Sequence, residues 1–211
     1  MLVFASTDFF ELPQFARQWT FAPMPDALWM GHVPACKNNL LNLSLITDKI
    51  VVNFRDPRQH LISFAHHLRW HRLTGKMAGL IQLQIPDEYW LWSFQKQLDW
   101  QIENSCVPFS IDWINGWLEA EKNPKFPCEI FYSQQLLLNK DQKKHFQNIL
   151  SFYGLPEEKF IFPPKAEFKE GTTQRKGSAK EWKEVLTPTQ IQKINKLIPE
   201  TWFQKFGWEK T

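Results

Sequence analysis

The stretch that most constrains this 211-residue chain is "KIVVNF" (49–54), which passes without a linker into Arg55, Asp56 and Pro57. An apolar run that is continuous rather than alternating reads as a strand covered on both faces, the pattern of a parallel sheet. Asp56 suits a helix N-cap and Pro57 the first helical position. Leu61, Phe64, Ala65 and Leu68 then recur at i, i+3, i+4 and i+7, which predicts a helix. A strand feeding straight into a helix predicts an α/β fold, a parallel sheet flanked by helices.

The other segments fit that frame. "ALWMGHVP" (27–34) predicts a short strand running into a loop, and "CEIFY" (128–132) a further strand. Helices are predicted over 86–104, with Trp90, Phe94, Leu98 and Ile102 on one stripe, and over 111–121. Another spans 140–156, closed by Gly154 with Pro156 beyond it, and the last spans 186–198 with Thr187 as N-cap and Pro188 at its first position. Residues 163–181 carry basic side chains without an apolar period and predict a loop. There is no internal repeat, and one domain over 1–211 is expected.

Composition narrows the function classes. A 43% apolar content excludes a disordered chain. A net charge of +3 permits an anionic ligand but does not supply the dense basic face of a nucleic-acid binder, so no nucleic-acid partner is expected. Cys36, Cys106 and Cys128 are odd in number and far apart, which fits reduced core thiols in a cytoplasmic protein better than a disulfide framework. No apolar stretch approaches 18 residues, so no membrane span is expected. The start, "MLVFASTDFFELPQF", has no basic leader and soon reaches Asp8 and Glu11, unlike a secretory signal.

At the carboxyl end of a parallel strand lies the usual ligand crevice of an open α/β sheet. Arg55 arrives there, offering a planar fork of donors matched to a phosphate or sulfate. The amino end of the following helix favours an anion at the same place. Ser63, eight residues after Arg55, falls about two turns into that helix, where its hydroxyl could meet the anion from the side. The competing reading pairs Arg55 with a carboxylate and leaves Ser63 on the surface. Far downstream, Arg175, Lys176 and Gly177 join two cations to a residue that lets backbone approach a ligand closely. Trp182 could pin that loop to the domain. A solvated charge run is the alternative for these residues.

Together the two stretches resemble the sulfotransferase family that uses 3′-phosphoadenosine-5′-phosphosulfate (PAPS). In that family an apolar strand leads to an arginine, then Asn or Asp with Pro, then a serine eight positions after the arginine, as in "VVNFRDPRQHLISF". The family's RKGxxGDWK segment is matched by "RKGSAKEWKEVLT", with Lys180 and Glu181 in place of Gly-Asp. "EIFYSQQLLLNKDQKKHFQNILSFYGLP" is similar to a tyrosine-bearing strand and its helix, with Ser133 and Gln134 for the usual Glu-Asp, and "AEFKE" (166–170) is loosely similar to a segment whose phenylalanine packs on adenine. The likeness covers roughly residues 28–190. It implies a P-loop-NTPase-like sheet, with Arg55, Ser63, Arg175, Lys176 and Gly177 holding the 3′-phosphate and Tyr132 and Phe168 near the base. It implies PAPS as sulfuryl donor, adenosine 3′,5′-bisphosphate (PAP) as product, and a small-molecule or glycan acceptor with a hydroxyl or amine.

"MGHVPA" (30–35) resembles the family's Thr-His-Leu-Pro segment, whose histidine takes the acceptor's proton, which makes His32 the candidate base. A histidine suits that task because it titrates near neutrality. The alternative is a structural histidine beside a proline. His67 and His71, four apart on one helical face, could ligate zinc. No HExxH pattern or cysteine pair accompanies them, so no metal is expected and a substrate-side wall is favoured. Tyr89, Trp90, Trp92, Trp113 and Trp117 are either core or walls of the acceptor pocket.

The chain departs from the family at its start. The Pro-Lys-Ser-Gly-Thr-Thr-Trp loop that binds the 5′-phosphosulfate is not found, since residues 1–27 contain neither lysine nor glycine. The expectation is therefore an N-terminally shortened domain whose sheet could lack its first strand, with turnover impaired. The family's dimer pattern is broken by Pro188 and Gln192, which predicts a monomer or weak dimer. Two other functions compete: a PAP-binding module without catalysis, and a P-loop kinase, which would need Mg²⁺ and a Walker lysine.

Overall fold

The computed structural model describes residues 6–7, 30–31, 33–45, 47–75, 85–134, 141–157 and 180–211. It divides into one unit of Met1–Ile50 with Trp113–Ile130, and another of Val51–Asp112 with Phe131–Thr211.

In the first unit two short strands, β1 (Ser6–Thr7) and β2 (Met30–Gly31), pair in parallel with Ser6 opposite Met30 and Thr7 opposite Gly31. Helix α1 (Lys37–Ser44) follows. The Trp117 indole N–H donates to the Val33 carbonyl at 3.2 Å, and its ring stands 6.1 Å from that of Trp113. Cys36, read as a core thiol, is exposed at the start of α1, whereas Cys106 and Cys128 are buried as expected; all three are free thiols.

Strand β3 (Lys49–Phe54) pairs with β4 (Glu129–Gln134). The Cys128 thiol meets the Thr47 carbonyl, the Glu129 amide donates to the Asp48 carbonyl, and Ser133 reaches Asn53. These contacts advance together along both chains, so the pair is parallel. The fold is α/β, as the strand-to-helix passage predicted.

In the second unit α2 (Pro57–Thr74) begins where the cap residues place it: the Asp56 carboxylate accepts from the Arg58 amide at 2.9 Å and Pro57 opens the helix. Gly75 closes it at φ 70°, a left-handed turn that favours glycine. Leu61, Ile62, Ala65 and Leu68 are fully buried, with Ile62 taking the core place expected of the half-buried Phe64. The single helix predicted over 86–104 is two elements, a 3-10 helix (Asp87–Leu91) and α3 (Phe94–Asn104). Trp92 is extended between them, and the Ser93 hydroxyl caps α3 by accepting from the Lys96 amide at 3.3 Å. The buried Gln97 amide donates to the Tyr89 carbonyl at 2.8 Å, satisfying a group that the break exposes. Helix α4 (Cys106–Glu121) starts five residues before the predicted 111, the Gln101 side chain receiving the Cys106 amide.

Helix α5 (Gln142–Tyr153) ends at Gly154 as predicted. The chain closes with α6 (Trp182–Val185), α7 (Pro188–Leu197) and α8 (Glu200–Phe206). Thr187 and Gln190 form a reciprocal capping box at α7. Phe206 packs edge-on against Phe54 at 4.8 Å, and the Trp208 indole donates to Gln134 at 3.1 Å, so the C-terminus covers the ends of β3 and β4. Among the described residues no helix is long and apolar enough to cross a membrane.

Candidate functional site

Two arginines flank the Asp56–Pro57 cap, and the structure gives them opposite roles. Arg58 is fully buried. Its guanidinium grips both oxygens of Asp56 (2.6 Å from Nη2 to Oδ2, 2.9 Å from Nε to Oδ1), donates to Asn195 at 3.1 Å and lies 3.9 Å from the centre of the Trp182 ring. Arg55 emerges from the last residue of β3, is exposed, and donates from Nη1 to the Ser63 hydroxyl at 3.2 Å. The two residues singled out by spacing are thus brought together on one side of α2.

The nearest carboxylate in sequence is already taken by Arg58, and among the described residues none is ion-paired with Arg55. Protein packed around Arg55 removes part of its hydration and lowers its pKa from the ordinary arginine value. One expectation is revised: the amino end of α2 is less open to an anion than the sequence suggested, because Asp56 itself caps it.

Tyr132 lies on β4 beside the end of β3, half-buried, with its ring 6.0 Å from Phe54 and the Lys205 ammonium 5.6 Å from its centre. Lys205, on α8, is a neighbour that no motif had marked. His32, Phe168, Arg175, Lys176 and Gly177 lie outside the described residues. The described end of the basic segment begins at Lys180. Trp182 is buried against Arg58, and its amide donates to Gln59 at 3.4 Å, so the tryptophan pins this end to α2 as anticipated. Lys180 and Lys183 both pair with Glu209, at 2.5 and 2.6 Å, which holds that carboxyl down at about 2. The lysine replacing a family glycine therefore has a local electrostatic partner.

The aromatic candidates divide. Tyr89 is fully buried and its hydroxyl accepts from Gln101 at 3.3 Å, and Trp117 is buried too, so both are core. Trp90, Trp92 and Trp113 are half-buried. His67 and His71 converge on each other, with their Nε2 atoms 2.9 Å apart. Among the described residues no three His, Cys, Asp or Glu side chains gather as a metal group.

The chain is a parallel-sheet α/β protein in which an arginine and a helix hydroxyl meet at a strand end. The family comparison is specific: a model of the sulfotransferase domain matches residues 32–207. The chain belongs to the sulfotransferase domain family. A solved structure, mouse sulfotransferase SULT7A1 complexed with PAP, matches 99% of this chain and 76% of its own length with a TM-score of 0.59 at 15% identity, a likeness of fold. No curated protein matches the chain.

Proposed function

We propose that this sulfotransferase-family protein uses PAPS as its sulfuryl donor and holds the donor's 3′-phosphate with Arg55 and Ser63. The observation that carries this reading is the 3.2 Å contact between the Arg55 guanidinium and the Ser63 hydroxyl, beside an Asp56 already held by Arg58. The pair suits a phosphate chemically. Ser63 accepts from Arg55, so its own hydroxyl hydrogen is available to donate, and Arg55 retains further N–H donors in one plane. On the family resemblance, Arg175, Lys176 and Gly177 complete this phosphate site, while Tyr132 and Phe168 flank the base. The donor supplies the activated sulfuryl group; His32 takes the proton from the acceptor's hydroxyl or amine. The acceptor is a small molecule or glycan. The protein acts in the cytoplasm as one domain, a monomer or weak dimer, without a metal in the reaction.

A second reading rests on the absence of lysine and glycine from residues 1–27: a module that binds PAP without turning over. Calorimetric titration with PAP tests both. Hydrogen bonds to charged groups contribute about 1.5–3 kcal/mol each, so Arg55→Ala should weaken PAP binding by at least about tenfold. Equal binding by wild type and Arg55→Ala overturns the assignment. Sulfuryl transfer from PAPS to a phenol panel then separates the enzyme from the binding module.

A further inference from the structure

The far side of α2 carries a surface that the phosphate site does not use. Arg72 follows Ser63 by nine residues, which at about 100° per residue puts it about half a turn round the helix and about 14 Å along it. Here the last turns of α2 meet the 3-10 helix and the start of α3, and three cations each lie over an aromatic ring. The Arg69 guanidinium stands 4.8 Å from the centre of the Phe94 ring, the Arg72 guanidinium 5.7 Å from that of Trp90, and the Lys96 ammonium 4.4 Å from that of Trp92.

Ring faces hold these cations without neutralising them. Arg69 donates from Nε to the Gln97 side chain at 2.9 Å, a neutral partner, and Arg72 and Lys96 are exposed. Among the described residues none of the three is ion-paired. Two leucines border them. Leu73, next to Arg72, is 87% exposed, and Leu91, between Trp90 and Trp92, is 86% exposed, the highest values among the large apolar side chains described.

This mixture selects its occupant. A nucleic acid wants a dense basic face and offers nothing to leucine. Asp87 and Glu88, exposed on the same 3-10 helix, leave an excess of one charge, three cations against two carboxylates, and the connecting residues 76–84 add one lysine and no carboxylate. Cations, tryptophans and exposed leucines together match a membrane surface, where phosphates meet Arg and Lys, the headgroup boundary suits Trp, and the outer acyl region receives Leu. We infer that the end of α2 and the start of α3 dock the protein peripherally on a membrane containing anionic phospholipid, with Arg69, Arg72 and Lys96 on the headgroups and Leu73 and Leu91 at the acyl boundary. Such docking needs no spanning helix. It is independent of the nucleotide reading, since neither Arg55 nor Ser63 takes part.

The experiment is co-sedimentation of the full chain with vesicles of phosphatidylcholine, alone or mixed with phosphatidylserine at about three to one. Wild type should bind the mixed vesicles at least about tenfold more tightly, since each basic side chain near an anionic surface contributes about a fivefold gain. Arg72→Gln with Lys96→Gln should weaken that binding at least about tenfold, and Leu73→Ser with Leu91→Ser should do so by a similar factor. All four side chains are exposed, so circular dichroism and the urea midpoint should stay at wild-type values. Arg55→Ala, on the opposite side of α2, should bind the vesicles as wild type does. Failure of wild type to bind the mixed vesicles overturns the proposal, as does equal binding by either double variant or equal binding without phosphatidylserine. A loss in Arg55→Ala as large as in the Arg72 and Lys96 variant would show bulk charge at work and overturn it too. Binding of a soluble poly-glutamate peptide but not of vesicles would assign the surface to an acidic protein partner instead.

Discussion

Arg58→Met tests the claim that this arginine is structural while its neighbour three residues earlier faces ligand. The substitution removes an ion pair in which Arg58 is fully buried and the Asp56 side chain is 12% exposed. It deletes the contacts to both Asp56 oxygens and the 3.1 Å bond to Asn195. Breaking a buried pair from one side costs about 3–5 kcal/mol, because the remaining charge loses its partner in a poorly hydrated site. Methionine returns part of this, since its thioether can still lie on the Trp182 ring for about 0.3–1.5 kcal/mol. A net loss of about 2–4 kcal/mol follows. Urea unfolding read by circular dichroism should show a lower midpoint at an unchanged m-value. The double variant Asp56→Asn with Arg58→Met should cost less than the sum of the two single changes, since the charge left stranded by the first substitution is itself removed. A single-variant loss below about 1 kcal/mol, or additive costs within about 0.5 kcal/mol, would refute the structural assignment and make Arg58 a second candidate for the phosphate.

His145 is buried with its Nε2 2.8 Å from the Ser133 hydroxyl, and burial lowers its pKa from the ordinary 6.5. The unfolded chain therefore binds the proton more readily, so this contribution to stability is complete above about pH 6.5 and is lost as pH falls below it. His145→Gln, which keeps an N–H donor, should flatten the decline of unfolding free energy across that acid range; an identical slope would show that His145 is not responsible. The cysteines should separate by reactivity at pH 8: an aromatic disulfide reagent should label exposed Cys36 rapidly. Cys106, pushed up to about 12 by burial, and Cys128, also raised by burial, should react only on unfolding. Rapid labelling of more than one thiol in the native protein would contradict the packing around α4 and β4.

What was legible in the sequence is what local chemistry decides. Strand β3 follows from a β-branched run, the starts of α2 and α7 from an Asp-Pro and a Thr-Pro cap, and the end of α5 from Gly154, all within a few residues of the boundary. The break at Trp92 was not legible, because the apolar stripe from Trp90 to Ile102 continues through it. It depends instead on the Gln97 side chain reaching back to the Tyr89 carbonyl. Cys36 was read as core because three widely spaced cysteines do not fit a disulfide framework, but burial is a tertiary outcome that one residue does not encode.

The site shows the same division at closer range. Spacing marked Arg55 and Ser63 as partners, and they meet. Spacing could not distinguish an arginine available to a ligand from one consumed by the fold, since Arg55 and Arg58 stand three residues apart around one cap. That choice is made by distant residues: Asn195, 137 positions from Arg58, and Trp182, whose ring covers its guanidinium. Those contacts hold Arg58 in place, and Arg58 in turn engages the Asp56 carboxylate. Arg55 is exposed while Arg58 is buried and engaged, and a change at Asn195 or Trp182 should loosen the Arg58–Asp56 pair, which the urea midpoint would read.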